Sequence, residues 1–249
     1  DSVASRGLGD VYKRQIVAFQ FLTRFYLPIN IEWDEKNIKY SLLFFPIVGG
    51  AIGGILYLVS RIFAQTNVNI SLMILLAWIL ITGGLHFDGL SDTVDGFSAR
   101  KNREETLKIM DDSHIGAFGV MAIVLALAFK YYAITNLIGP NSWAIFLAPV
   151  FARAVAGIFL TYIKTAKDTG LAAYFHSCTK KWPATLAFIC TLALAFYFNS
   201  WMGIRVLYTA GIISVLLIPI YRKLGGLTGD VYGTIVELFE IIFMTLCII

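Results

Sequence analysis

Five aspartates and two histidines crowd one stretch of this chain, Gly83 to Gly119, which reads GGLHFDGLSDTVDGFSARKNREETLKIMDDSHIGAFG. Asp88, Asp92 and Asp95 stand at i, i+4 and i+7, so a helix would align their carboxylates along one face. Like charges on one stripe repel, and hard oxygen ligands so arranged suit Mg²⁺ or a similar divalent ion. A solvated helix face normally mixes signs at i, i+4. Here the acids alternate with Gly89, Leu90, Val94, Gly96 and Phe97 and meet no basic residue until Arg100, so metal binding is the expectation. Asp111 and Asp112 follow, and His86 and His114 bracket the stretch as ligands, general bases or orienting partners.

The elements that must position these groups are apolar. Of 249 residues, 58% are hydrophobic and 14% charged, with mean hydropathy +0.74, whereas a soluble domain carries about 25% charged residues. This composition predicts an all-α, polytopic integral membrane protein. Seven segments approach the roughly 20 residues that a bilayer core requires: 41–64, 70–85, 115–138, 142–163, 183–199, 203–220 and 231–249. Ahead of them, 16–27 is too short to span and reads as an interfacial helix closed by Pro28. Residues 1–15 show no initiator Met, apolar h-region or cleavage site and read as a translated adaptor remnant, leaving 16–249 as a single membrane domain. Gly49, Gly50, Gly53 and Gly54 form a small-residue face that invites a close helix neighbour. No basic stripe interleaved with aromatics suggests nucleic acid, and three cysteines without metal-type spacing indicate neither disulfides nor zinc.

Sixteen of the twenty Lys and Arg fall in 1–40, 86–114, 164–182 and 221–230, and none in the loops between. The positive-inside rule therefore puts every polar, motif-bearing segment on the cytoplasmic side of a bacterial inner membrane. Arg153 lies mid-span and needs a partner, which Glu237 and Glu240 could supply. Two readings of these residues are evenly weighted, a buried ion pair and a polar cavity continuous with the aspartate face. The turn RKLGGLTGDVY, with Thr228 and Asp230 before a helix, is a tight turn with an N-cap that gains interest from sharing the aspartate side.

Four ordered motifs, FLTRFYLPI, HFDGLSDTVDGFSAR, IMDDSHIGAFG and GGLTGDVYGTIVELFE, together resemble the cobalamin synthase family, the adenosylcobinamide-GDP ribazoletransferases, over essentially the whole chain from Ile16. The resemblance implies transfer of the adenosylcobinamide-phosphate group from its GDP-activated form onto α-ribazole or its 5'-phosphate, with release of GMP and a requirement for Mg²⁺. Lipid surrounds such an enzyme, and oligomerisation stays open. Where the family often has basic residues around the Asp-Ser pair, this chain has Asp111 and His114, so no phosphate clamp is assigned there. The chemistry suits the residues: displacement at a pyrophosphate phosphorus needs charge neutralised on the non-bridging oxygens and leaving group. Asp88, Asp92 and Asp95 are expected to hold Mg²⁺, with Asp111 or Asp112 completing coordination or acting as base. His86 and His114 are further catalytic candidates. Arg100 is expected to clamp phosphate, with Arg153, Thr228, Asp230 and Glu237 as further substrate-binding candidates, while Lys101 and Arg103 read first as solvated surface. The aspartates also resemble the motif of CDP-alcohol phosphotransferases, which is one alternative function. A solute transporter using Lys130, Arg153 and the two glutamates, and a metal-dependent hydrolase using the histidines, are others.

Overall fold

A computed structural model describes residues 3–24, 29, 31–139 and 141–249, with side chains from Gly9 onward. It is helical throughout, and the β-type pairing seen among the described residues is an isolated bridge between Thr165 and Leu227. The helices are α1 (Val3–Leu22), α2 (Glu35–Ser41), α3 (Phe45–Phe63), α4 (Ile70–Thr82), α5 (Leu85–Ser98), α6 (Arg103–Met110), α7 (Ala117–Leu137), α8 (Trp143–Tyr162), α9 (Leu171–Cys178), α10 (Lys181–Phe198), α11 (Ser200–Leu224) and α12 (Gly229–Ile248). Polar side chains start several of them by capping free backbone N–H groups. Asp34 accepts from Asn37 N, Asn69 from Leu72 N, Asn102 from Glu105 N and Thr228 from Val231 N.

Among the described residues six helices are long and apolar enough to cross a membrane, and α4 with α5 forms a bent pair that would make a seventh. The architecture is thus the multi-pass helical bundle that composition predicts. α8 and α12 are its centre, each with 72% of its most apolar stretch buried, whereas α7, α10 and α11 bury 28%. The outer three turn residues such as Phe129, Leu194 and Val215 outward, as lipid-facing helices do. α3 packs on α8 at Gly49 and Gly53, whose missing side chains leave room for the backbone at Pro149 and Phe146. The predicted glycine face is half used, because Gly50 and Gly54 point into open space.

Two elements differ from expectation. α1 begins at Val3, through the segment read as a remnant, and Asp10 on it pairs with Lys36 of α2 at 2.6 Å. It ends at Leu22; the expected end at Leu27 and Pro28, and the aromatics Phe25 and Tyr26, lie outside the described residues. The predicted span 70–85 is broken: α4 covers only about 20 Å at 1.5 Å per residue, and the chain then turns by 84° into α5. Gly83 and Gly84 carry the turn with φ of 61° and 70°, values that favour glycine.

The polar segments meet at one end of the bundle. Arg103 of α6 donates from Nε to Leu224 O (2.8 Å) and from Nη2 to Ala166 O (2.6 Å), tying together the loops before α12 and after α8. Those loops also pair directly, Ala166 N donating to Leu227 O at 2.9 Å and Leu227 N to Lys164 O at 3.0 Å. Tyr174 of α9 donates to Trp33 O at 2.8 Å, fastening α9 to the segment before α2.

Candidate active site

α5 is steered into place by its crossing with α12. A Cβ at Gly89 would lie 2.6 Å from Asp230 O, so only glycine allows this approach. The Thr234 hydroxyl lies 3.1 Å from Gly89 O and 3.0 Å from Thr93 Oγ1, fixing the register of the crossing. The consequence is a grouping that the sequence separates by more than 130 positions. Asp92 is partly buried, and Asp88, Asp230 and Asp95 are all near enough for their charges to act on it. No cation pairs with Asp88 or Asp92 among the described residues.

Asp88 and Asp230 line a cleft with two parts, and Asp92 lies one turn of α5 beyond Asp88, outside both linings. The inner part, about 200 Å³, is lined by His86, Asp88, Asp230 and Tyr232 among apolar residues that include Phe21, Phe45, Leu85 and Leu160. The outer part, about 180 Å³, sets Asp111, Thr165, Lys167, Thr169 and Thr228 among apolar residues that include Ala173 and Leu227. Leu171, Ala172, Gly229 and Asp230 belong to both, so Asp230 sits where the two parts join. Lys167 pairs with Asp111 across the outer part. Arg103 is exposed, as the sequence suggests, and it also holds the backbone on which Lys167 and Thr228 stand.

Several predicted residues sit elsewhere. Asp95 accepts from the backbone N–H groups of Gly116 and Gly119, both at 2.8 Å, and so caps the start of α7. Each of its oxygens takes one of these bonds, so Asp95 has a structural task at α7 whether or not it also faces a metal. Asp112 and His114 form an exposed pair at 2.6 Å outside both linings. The His114 side chain and backbone N–H beside Asp112 hold its carboxyl below the ordinary carboxylate range. Arg100, with φ 52°, is exposed at the end of α5 and also outside the linings.

The mid-membrane charges form a buried ion-pair network, the first of the two readings of these residues, while Arg153 Nε and Nη2 and Glu237 Oε1 have no hydrogen-bond partner among the described residues. Lys130 donates to Glu237 Oε2 at 2.7 Å and to Glu240 Oε2 at 2.6 Å, Arg153 pairs with Glu240, and all four side chains are buried. Lys130 also lies 4.4 Å from the Trp78 ring centroid. Two cations and two carboxylates neutralise one another between α7, α8 and α12, and none of them lines the cleft. The same pairing removes the charges on which a transporter reading rested.

Two cleft residues have no assigned role in the sequence. The run TAKDTG places the Lys167 cation between Thr165, Thr169 and Gly170, and Tyr232 closes the turn RKLGGLTGDVY. α9 brings Leu171 and Ala172 to both parts of the cleft.

A family model described as cobalamin-5-phosphate synthase matches residues 14–248. A protein of Treponema denticola named adenosylcobinamide-GDP ribazoletransferase is 36% identical over 244 residues, covering 91% of this chain and 94% of that protein. Proteins of the same name from Clostridium botulinum (strain 657) and Clostridium novyi are 37% identical over 236 residues and 36% over 245. These cover 92% and 93% of this chain, and 94% and 95% of the relatives. No solved structure matches.

Proposed function

The chain belongs to the cobalamin-5-phosphate synthase family, and from that premise we propose that its cleft joins GDP-activated adenosylcobinamide to α-ribazole, or to α-ribazole 5'-phosphate, and releases GMP. The observation that carries the assignment to this cleft is the α5–α12 crossing at Gly89, which sets Asp88 in the wall of the inner cavity together with Asp230, a residue that lines both cavities.

In the reaction, an oxygen of the acceptor ribose forms a bond to the phosphorus that carries cobinamide. The bond from that phosphorus to the oxygen bridging to GMP breaks, and GMP leaves with the electron pair. Asp230, shared by both cavities, accepts the proton of the attacking hydroxyl. Lys167, exchanging Asp111 for the substrate, binds phosphate oxygens in the outer part.

Asp88 and Asp92 fit Mg²⁺ by the chemistry of their donors, two hard carboxylates without a pairing cation. Among the described residues no three acids or other ligands are preassembled as a metal cage. That is the donor set Mg²⁺ commonly takes, one or two carboxylates with substrate phosphates supplying the rest. Bound there, the ion would neutralise charge on the pyrophosphate. Because the basic segments sit at the cleft end of the bundle, the site opens to the cytoplasm from the bacterial inner membrane.

The test is to incubate purified protein with adenosylcobinamide-GDP, α-ribazole and Mg²⁺ and to separate the products by chromatography. Equal amounts of cobalamin and GMP are expected. GMP without cobalamin would mark a hydrolase, and no consumption of the donor would refute the proposal.

A further inference from the structure

The steps above use the outer cavity and the acids and leave the inner cavity without a task. We infer that the inner cavity is the subsite for the aromatic base of the acceptor nucleoside, an inference that takes the identity of the acceptor from the transferase reading. Its walls are apolar on α1, α3, α8 and α9, through Phe21, Leu22, Phe45, Ala156, Leu160 and Leu171. Set into those walls are His86 and Tyr232, only 4% and 7% exposed. His86 Nδ1 and the Tyr232 hydroxyl have no hydrogen-bond partner among the described residues. Buried polar atoms are normally paired, so two orphans on residues that line one cavity point to a ligand that supplies the partners once either ring turns towards it.

Size and chemistry select among the parts of the two substrates. About 200 Å³ admits a fused two-ring heterocycle and excludes a corrin macrocycle. Guanine carries donors and acceptors along most of its edge and would leave several unpaired against these walls, at a cost. The benzimidazole of ribazole is apolar apart from one in-plane ring nitrogen, which accepts from Tyr232 or His86. With the base seated inside, its ribose lies at the mouth beside Asp88 and Asp230, where the hydroxyl must lose its proton. The inner cavity thus positions the nucleophile, and Tyr232 and His86 select the base.

Two substitutions and two readouts test this in the full-length protein in detergent. Ala156→Leu fills the cavity, and Tyr232→Phe removes one hydroxyl and keeps the ring. Calorimetric titration with α-ribazole alone gives Kd, and initial rates give KM for each substrate separately. Ala156→Leu is expected to raise the acceptor Kd and KM about 10- to 200-fold, the range for a methylene-scale misfit in an apolar pocket. Tyr232→Phe is expected to raise them about fivefold, in line with one lost hydrogen bond. The donor KM stays as in the wild type for both. An acceptor Kd that ignores both substitutions, or a donor KM that rises in place of it, overturns the subsite. If the wild type binds α-ribazole and the substitutions weaken it while no GMP forms from the donor, the transferase reading fails and the subsite stands. If cobalamin and GMP form and neither variant shifts the acceptor Kd, the subsite alone fails.

Discussion

Gly89 of α5 and Asp230 of α12 touch so closely that the smallest side chain at position 89 would press on the Asp230 carbonyl, at 2.6 Å. Backbone cannot yield there as a flexible side chain would, so α5 must shift. Gly89→Ala is expected to leave the protein inserted and folded while separating Asp88 and Asp92 from Asp230. A displacement near 1 Å costs about 100-fold in rate. Transfer assays beside thermal unfolding in detergent check this, and wild-type turnover in a well-folded variant would show that the crossing does not set the site.

The three acids of α5 are expected to separate by role. Asp88→Asn and Asp92→Asn remove a charge near the phosphates and should lower turnover by about 100-fold or more, with a raised Mg²⁺ requirement in whatever activity remains. Asp95→Asn should instead cost about 1 kcal/mol of stability through the weakened cap of α7 and keep its Mg²⁺ dependence. Chelation by EDTA should stop the wild-type reaction and Mg²⁺ restore it. Equal losses for all three variants would contradict the division.

That division marks how far the sequence reaches. The i, i+4, i+7 spacing places three carboxylates on one face of a helix, and α5 does carry them. Spacing says nothing of how long that face stays beside one neighbour, and by Asp95 the neighbour is α7 and no longer α12. The apolar runs foretell the spans, yet hydropathy is blind to the turn at Gly83–Gly84, because apolar residues flank it on both sides. The turn before α12 is legible as a helix start with Asp230 as its expected N-cap, but Thr228 is the cap and Asp230 stands in the first turn. Lys167 and Asp111 are 56 positions apart, and Lys130 and Glu240 are 110 apart; a single sequence has no local signal for such pairs.

The buried network is expected to govern stability and not substrate affinity. Removing one partner leaves an uncompensated charge in the bundle, worth about 3–5 kcal/mol. Glu240→Gln, which strips the acceptor shared by Lys130 and Arg153, should therefore lower the detergent melting temperature sharply. Both KM values should stay near wild type in the fraction that folds. Pairing Glu237→Gln with Lys130→Met should be milder than Glu237→Gln alone, because the pair removes charges that neutralise each other directly and leaves Arg153 with Glu240. A selective rise in either KM for Glu240→Gln would return these residues to the binding site.

Lys167 and Asp111 hold each other across the outer cavity, so substrate must displace one from the other. A lysine there is a point charge suited to phosphate, whereas the carboxylate of Asp111 repels it. Lys167→Ala should raise the KM for the GDP-activated donor about tenfold or more, with little change for the acceptor, since a charged hydrogen bond is worth about 1.5–3 kcal/mol. Asp111→Asn should act in the opposite sense and lower the donor KM by freeing the lysine. It should keep activity, because Asp111 is not needed to hold the metal if Asp88 and Asp92 do so. Steady-state kinetics of the two single variants and of the double variant separate the roles. If Asp111→Asn abolishes transfer as completely as Asp92→Asn, Asp111 belongs with the metal ligands and the pairing with Lys167 is secondary.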